Sequence, residues 1–454
     1  MQIILAAQFG EYWKSYSLSS KSDSVVDTIV REIIEAVRYE GDAAIRRFAS
    51  RFDRSSPERL EVSVNLAEEA WKNMCKSDKE TANALELAAR HLFCFAELQK
   101  KQLVNFEVEM EKGLFTGQRV IPVERAAVYV PAGRFPIISS VLMGMIPALA
   151  AGVDEIILAS PPMEDRFPDR AILAAAALSM AVCKKAGNRS TDDIKLRIFS
   201  MGGAQAIAAL ALGTESVPRA SVVVGPGNKY VAAAKRMLFG EVGIDLVAGP
   251  TDVLVITAGA SDKEAELIAA DMLAQAEHDP DARARALVSD QKFAGKISAA
   301  LERRLTALPE ESRTTANASL DAGGLIIVYQ TKEEAITIAN TIAPEHLELH
   351  CEDPDSWVNG GKSGECLRNY GSLFIGSLAA EVLGDYSAGI NHTLPTSGSA
   401  RFTGGLSVRH FLKTPTTLRC ISAEGFEEAR KAAEILGRAE GLYGHSQAAL
   451  ERRV

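Results

Sequence analysis

Four of the seven histidines lie in short segments that also contain carboxylate, amide or glycine residues. These histidines are His278 in QAEHDP, His346 in APEHLE, His392 in GINHTLPTSG and His445 in EGLYGHS. A histidine side chain can transfer protons near neutral pH, and it can also bind zinc. The four segments are therefore candidates for a catalytic or metal site. The remaining histidines, which we expect to be structural or solvated, are His91, His350 and His410.

Two of these segments could hold a metal ion between them. Gln275 and His278 are three residues apart at the end of a predicted amphipathic helix, so both side chains can face one site. Asp385, which precedes His392 in GDYSAGINH, could complete a mixed nitrogen and oxygen site. Alternatives remain open, because glutamine is an unusual zinc ligand and a helix cap or an Asp-containing turn would explain the same residues. For His445, on the last predicted helix, the alternative is a solvated face.

Glu345 and His346 are adjacent, and they follow Pro344, which ends a predicted helix before an apolar strand. An acid and a base at the edge of a sheet could share proton transfers if their pKa values are suitably tuned. The sequence pattern alone leaves a catalytic and a structural role equally open.

The segment VVVGPGNKYVAAAKRML predicts a strand, a tight turn that contains Gly225 and Gly227, and a helix that begins near Asn228. This layout would expose the amino end of a helix to an anionic ligand. The segment is not a GxGxxG motif, and any tight turn from strand to helix needs glycine. It is therefore weak evidence for a nucleotide site.

The elements that must position these residues follow an alternating pattern. Short apolar strands separated by helices predict an α/β fold with parallel sheets that are covered on both faces. Two such units fit the chain, after a section from residue 25 to 101 that is mostly helical. The predicted elements include strands at 126–130, 155–160 and 196–201, helices at 139–152, 171–187 and 263–276, and a surface loop at 186–193.

Composition narrows the class of protein. The chain has 454 residues, 47% of them hydrophobic, which is enough for a large core in several domains. A net charge of -9 without a dense basic stripe argues against nucleic acid binding. Six scattered cysteines without a CxxC pair argue against a thiolate zinc site and favour a reducing compartment. Because the first residues resemble neither a signal peptide nor a membrane span, we expect a cytoplasmic protein without a membrane partner.

Eight ordered segments between about residues 25 and 450 are similar to the histidinol dehydrogenase family. They are VYVPAGRFPIISSVLM, GGAQAIAALALGTESVP, VVVGPGNKYVAAAKR, GIDLVAGPTDVLVI, DMLAQAEHDP, APEHLE, GDYSAGINHTLPTSGSARF and EGLYGH. The resemblance implies an NAD-dependent, four-electron oxidation of L-histidinol to L-histidine through L-histidinal, the last step of histidine biosynthesis. It also implies one zinc ion per subunit and a homodimer with shared active sites.

The resemblance assigns a role to each candidate residue. The implied zinc ligands are Gln275, His278, Asp385 and, from the partner subunit, His445. The implied acid–base pair is Glu345 and His346. The implied NAD contacts are Tyr129, Gln205 and Asn228. The implied substrate contacts are the four zinc ligands together with Thr251, His346, His392 and, from the partner subunit, Glu440.

The implied architecture is an α/β fold of two Rossmann-like domains with small, mostly helical terminal segments in an intertwined homodimer. We predict an amino-terminal extension at 1–24 and a first domain formed by 25–125 and 250–395, which carries the acid–base pair and most zinc ligands. The second domain, 126–249, would bind NAD, and residues 396–454 would form the dimerisation segment.

Three residues depart from the family pattern. After AGP the family usually has serine and glutamate, where this chain has Thr251 and Asp252, and the usual second glycine of YVPGG is Ala132. These changes keep open a second hypothesis, that the protein oxidises another small alcohol such as a sulfonated or polyol substrate. A non-catalytic metal- or nucleotide-binding homologue is disfavoured because Glu345 and His346 are both present.

Overall fold

The structure is a computed structural model that describes residues 1–19, 24–132, 136–185, 194–360 and 364–452. The surface loop predicted at 186–193 lies outside the described residues. None of the helices in these ranges combines the length and apolarity that crossing a membrane requires.

Helices and strands alternate along most of the described chain. The helices are α1 (Phe9–Ser19), α2 (Ser24–Glu40), α3 (Asp42–Phe52), α4 (Val64–Ser77), α5 (Lys79–Lys101), α6 (Ile138–Ala151), α7 (Arg170–Lys185), α8 (Gly203–Leu212), α9 (Lys229–Leu238), α10 (Asp262–Ala276), α11 (Gln291–Ala307), α12 (Glu310–Gly323), α13 (Lys332–Ile342), α14 (Pro354–Val358), α15 (Glu381–Tyr386), α16 (Ala423–Ala439) and α17 (Tyr443–Leu450). The strands are β1 (Gln2–Leu5), β2 (Glu61–Val62), β3 (Phe106–Glu111), β4 (Leu114–Gln118), β5 (Ile121–Pro122), β6 (Arg125–Tyr129), β7 (Glu155–Ser160), β8 (Lys195–Ser200), β9 (Val222–Val224), β10 (Gly243–Ile244), β11 (Asp252–Thr257), β12 (Arg283–Val288), β13 (Leu325–Val328), β14 (His346–His350), β15 (Ser372–Ile375), β16 (Leu412–Lys413) and β17 (Thr416–Cys420).

Two six-stranded sheets organise the fold. The first sheet has the strand order β1-β13-β12-β11-β14-β15, and all its strands are parallel. The second sheet has the order β10-β9-β6-β7-β8-β2, and only β2 is antiparallel. Without β1 and β2, each sheet has the order 3-2-1-4-5 along the chain, which is the order of Rossmann folds. The predicted α/β class with parallel sheets is confirmed.

Successive residues of each strand enter cores on opposite faces of the sheet. In β6, Ala126 and Val128 belong to the core that contains α6 and α7, whereas Ala127 and Tyr129 belong to the core that contains α8 and α9. This alternation follows from the two-residue period of a strand, and burial of both faces explains why the strands are apolar throughout. The strand predicted at 155–160 coincides with β7.

The helical section at 25–101 packs on the second sheet, which corrects our prediction that residues 25–125 would join residues 250–395 in one domain. Val30 of α2 lies in one core with Ala127, and β2 pairs with β8. The predicted extension at 1–24 instead adds β1 to the edge of the first sheet. An amphipathic pattern shows which face of a helix is buried, but it does not identify the sheet that buries it.

Strands β3, β4 and β17 form a separate antiparallel sheet that the sequence analysis did not predict. Helices α16 and α17 pack against each other after β17. This region exposes many large apolar side chains: Phe106, Val108, Met110, Leu418, Ile421, Ile435, Leu436, Leu442 and Tyr443. Exposed apolar residues grouped in this way are typical of an interface with another protein.

We predict that Gly225→Ala destabilises the protein by about 2–4 kcal/mol. Gly225 follows β9 with a φ of +119°, and an added Cβ would overlap the carbonyl oxygen of Tyr129. Chemical denaturation measures the loss. Gly240→Ala is the matched control, because Gly240 has a φ of +103° but no atom within 4 Å of the added Cβ. Equal losses in the two variants would contradict the close contact with Tyr129.

Candidate active site

The amino ends of β11 and β14 lie side by side in the first sheet, with Val253 opposite His346. The backbone nitrogen of Asp252 donates to Glu345 Oε2 at 3.2 Å, and the backbone nitrogen of Glu345 donates to Asp252 Oδ1 at 3.2 Å. Arg285 Nη1, also buried, donates to Asp252 Oδ2 at 3.3 Å. These contacts fix Glu345 and His346 relative to the neighbouring strand.

Helices α10 and α15 bring further donor groups to these strand ends. Gln275 is fully buried in the last turn of α10, and His278 is exposed just beyond it. Glu381 and Asp385 are four residues apart on α15, so they share a face of that helix. Ligand atoms of His278, Glu381 and Asp385 all lie within 4.8 Å of one another.

Hydrogen bonds connect Gln275 to both sides of this cluster. In the amide orientation that satisfies both ends, Gln275 Nε2 donates to Glu381 Oε1 at 2.8 Å and Gln275 Oε1 accepts from the Thr251 hydroxyl at 2.9 Å. The backbone nitrogen of Glu381 donates to Glu348 Oε1 at 2.8 Å. Thr251 therefore retains a hydroxyl contact at the position where the family usually has serine.

His346 is buried between two carboxylates. Its Nδ1 lies 3.5 Å from Glu381 Oε1, and its Nε2 lies 3.6 Å from Asp385 Oδ1. Burial lowers the pKa of His346, but the carboxylates of Glu381, Glu345 and Asp385 outweigh burial and raise this pKa well above its ordinary value. The carboxylates around His346 therefore favour its protonated form.

Glu345 and Glu381 are both poorly solvated acids. Burial raises the pKa of Glu345 to about 7, although the charge of His346 acts in the opposite direction. Burial also raises the pKa of Glu381 well above its ordinary value. A group that titrates near neutral pH can both take up and release a proton during a reaction.

The donor set fits a bound divalent cation. The carboxylates of Glu381 and Asp385 lie beside the imidazoles of His278 and His346, and neither ring nitrogen of His346 makes a hydrogen bond within the described chain. Buried carboxylates are costly unless positive charge compensates them. Mixed nitrogen and oxygen donors are suitable ligands for zinc.

The sequence analysis did not identify Glu381. Its position four residues before Asp385 was an available signal, because that spacing places two carboxylates on one helical face. His392 lies nearby, with Nε2 3.1 Å from Ser139 Oγ. Burial lowers the pKa of His392, and the charge of Asp385 counters this decrease.

The structure places two predicted residues elsewhere. Glu440 ends α16 and His445 lies in α17, and both are exposed. Two groups of potential metal ligands occur among the described residues, and neither includes His445. Within a single chain, the implied zinc site therefore contains Gln275, His278 and Asp385 without the fourth ligand.

All three predicted NAD contacts line one cavity of about 560 Å³ beside the second sheet: Tyr129, Gln205 and Asn228. Tyr129 ends β6, and its hydroxyl accepts a hydrogen bond from the Gly203 nitrogen at 3.1 Å. The cavity thus lies at the carboxyl ends of β6 and β9, where the strand order of the sheet reverses. Nucleotides commonly bind at this position in open α/β sheets.

A buried ion pair fixes the glycine turn beside this cavity. Lys235 and Asp245 pair with each other, and they also bind the two polar groups of Gly225. Lys235 Nζ donates to the Gly225 carbonyl oxygen at 2.9 Å, and Asp245 Oδ2 accepts from the Gly225 nitrogen at 2.7 Å.

The amino end of α9 is not open, in contrast to the expectation from the glycine turn. Asn228 Oδ1 accepts hydrogen bonds from the backbone nitrogens of Tyr230 and Val231, at 3.1 and 3.2 Å. Asn228 is thus the N-cap of the helix, and its side chain occupies donors that an anion would otherwise use.

Residues 17–453 match the family model described as histidinol dehydrogenase. The chain belongs to this family. A histidinol dehydrogenase from Thermus thermophilus is 42% identical over 95% of this chain and 95% of its own length. One from Methylococcus capsulatus is 40% identical over 95% of this chain and 92% of its own length.

A solved structure agrees with this membership. The crystal structure of histidinol dehydrogenase from Elizabethkingia anophelis has a TM-score of 0.83 and 32% sequence identity, and the match covers 96% of this chain and 93% of that one. The histidinol dehydrogenase family suggested by the sequence motifs is therefore confirmed, and the protein is an oxidoreductase of this family.

We predict that Glu381→Gln reduces metal affinity or activity about 10–100-fold, the usual effect of removing a group that orients ligands. The change removes a carboxylate from the cluster, and it should also lower the pKa of His346. Metal titration and NMR of the His346 ring measure the two effects. The exposed Glu302→Gln is the control. Unchanged metal affinity, activity and His346 titration would contradict this role of Glu381.

Proposed function

We propose that the protein oxidises L-histidinol to L-histidine through L-histidinal, with reduction of two NAD⁺ molecules. The observation that carries this proposal is the buried Glu345–His346 pair next to the cluster of nitrogen and oxygen donors. Membership of the histidinol dehydrogenase family supports the choice of substrate. We further propose that the reaction takes place in the cytoplasm.

The proposed zinc ligands are Gln275, His278, Asp385 and His445 of the partner subunit. A zinc ion there would anchor an imidazole-bearing substrate and offset the carboxylates that favour the protonated form of His346. With zinc bound, the Gln275 amide would take the orientation in which Nε2 donates to the Thr251 hydroxyl at 2.9 Å and Oε1 faces the cluster, and the deep burial of Gln275 restricts the position of the amide. Thr251 and His392, together with Glu440 of the partner subunit, are proposed to contact the substrate.

In the first oxidation, His346 is proposed to accept the proton of the alcohol hydroxyl. Tyr129, Gln205 and Asn228 would hold NAD⁺ in the cavity that they line, and NAD⁺ would supply the hydride acceptor for each oxidation. His346 is suited to hold the proton, because Glu381 and Asp385 lie beside its two ring nitrogens.

In the second oxidation, Glu345 is proposed to take a proton from the water molecule that attacks the aldehyde carbon. Burial raises the pKa of Glu345 to about 7, so the group is a stronger base than an ordinary carboxylate and still loses its proton near neutral pH. Its bond to the backbone nitrogen of Asp252 restricts the position of the carboxylate.

The shared-site homodimer is also a proposal. Its support is the exposed apolar surface of β3, β17, α16 and α17, which would be covered in a dimer, and the exposed position of Glu440 and His445 on the same helices. In this arrangement the two carboxy-terminal helices of one subunit complete the site of the other. Two Rossmann-like domains, each built on one of the sheets, are the corresponding proposal for the subunit.

The departures at Thr251 and Asp252 do not favour oxidation of a different alcohol. Thr251 bonds to Gln275, and Asp252 pairs with Arg285 and with the backbone of Glu345. Because the protein itself uses both side chains, neither indicates a sulfonated or polyol substrate.

We predict two NADH for each L-histidinol consumed by the zinc-loaded protein. Absorbance of NADH and chromatography of the product measure this ratio, and a chelator should abolish turnover until zinc is restored. A panel of other small alcohols is the control. Turnover of another alcohol without turnover of L-histidinol would refute the proposed substrate.

We predict that Glu345→Gln and His445→Ala homodimers are each defective, but that a heterodimer of the two variants recovers about half of the normal activity. One of its sites would contain both substitutions, and the other would contain neither. Co-expression with two affinity tags isolates the heterodimer, and kinetic assay measures its activity. If each site lay within one subunit, both sites would be defective and no recovery would occur.

A further inference from the structure

The cavity proposed to bind NAD must accommodate the negative charge of the dinucleotide. A dinucleotide carries a pyrophosphate, which in Rossmann folds usually lies at the amino end of a helix. Here the side chain of Asn228 caps α9, and Asp53 accepts a hydrogen bond from the Gly202 nitrogen just before α8. Glu32 and Asp53 also line the cavity, so they add negative charge. The phosphates therefore need cationic partners elsewhere.

Arg51 and Arg54 line the same cavity and could supply this charge. They flank Phe52 and Asp53 in the sequence RFDR at the end of α3. The guanidinium carbon of Arg51 lies 5.1 Å from the centre of the Phe52 ring, which restricts the position of this side chain. A guanidinium group can bind phosphate oxygens through two hydrogen bonds at once.

One partner of Arg54, the carboxylate of Glu164, is replaceable. Arg54 Nη1 lies 3.5 Å from Glu164 Oε1, and the two side chains are 44% and 74% exposed. An ion pair this exposed contributes little to stability, so a phosphate could displace Glu164 at low cost.

Asp53, which lies between the two arginines in the sequence, forms hydrogen bonds within the protein. Besides accepting from Gly202, its carboxylate lies 3.5 Å from Gln205 Nε2. Asp53 therefore holds Gln205 and the turn before α8. Arg51 and Arg54 are thus the residues of the RFDR segment that bring positive charge to the cavity.

We propose that Arg51 and Arg54 form the subsite for the pyrophosphate of the dinucleotide, in place of a helix amino end. The assignment rests on the proposed use of NAD. It adds to the cavity a charge-dependent site that is separate from Tyr129, Gln205 and Asn228.

The test compares the wild-type protein with the double variant Arg51→Gln/Arg54→Gln by isothermal titration with NAD, ADP-ribose and adenosine. The double variant should bind NAD and ADP-ribose about 10–100-fold more weakly, because charge-assisted hydrogen bonds are lost, and adenosine equally well. Added salt should weaken NAD binding to the wild type more than to the variant. Arg31→Gln is the control, since this exposed arginine of α2 does not line the cavity.

Unchanged binding of NAD and ADP-ribose in the double variant would overturn the subsite and leave the proposed NAD use intact. An equal loss of adenosine binding would also overturn it, because adenosine has no phosphate. Selective loss of NADP binding would reassign the arginines to a 2′-phosphate. If the wild type bound neither NAD nor ADP-ribose, the proposed function and the subsite would fail together.

Discussion

The cost of burying carboxylates around a single imidazole governs the arrangement of the active site. Glu345 and Glu381 lie almost out of contact with solvent, and such groups persist only where hydrogen bonds and positive charge compensate the lost hydration. The imidazole of His346 lies beside these carboxylates, the backbone nitrogen of Asp252 donates to Glu345, and the amide of Gln275 donates to Glu381. These contacts require the surrounding strands and helices to keep fixed positions. The functional side chains accordingly lie at the ends of strands and helices.

The two parallel sheets present their functional residues at different edges. In the second sheet, Tyr129 and Gly225 follow the carboxyl ends of β6 and β9, as expected for a nucleotide cavity. In the first sheet, Thr251 and Glu345 precede the amino ends of β11 and β14. The reversal of strand order places two strands side by side at both of their ends. The second sheet uses the carboxyl ends of such a pair for the cavity, and the first sheet uses the amino ends for the acid–base pair.

Local sequence patterns predicted the elements well and their grouping poorly. The strand at 155–160 could be predicted from its continuous apolar residues. The segment 25–125 was assigned to the wrong sheet because any apolar sheet face can bury an amphipathic helix. Strands β3 and β4 escaped prediction, and the apolar side chains of β3 are exposed in the single chain. The residues around Glu345 could be named from the family resemblance, whereas the contact of Glu381 with His346 depends on the tertiary position of α15.

The ion pair of Lys235 and Asp245 constrains how this protein can diverge. Both charges are buried, and each also binds a backbone group of Gly225. A neutral replacement of one residue leaves the other charge without compensation inside the core, which is far more damaging than replacing both. Lineages that change this turn are therefore expected to pass through paired substitutions, and the two positions should covary although ten residues separate them along the chain.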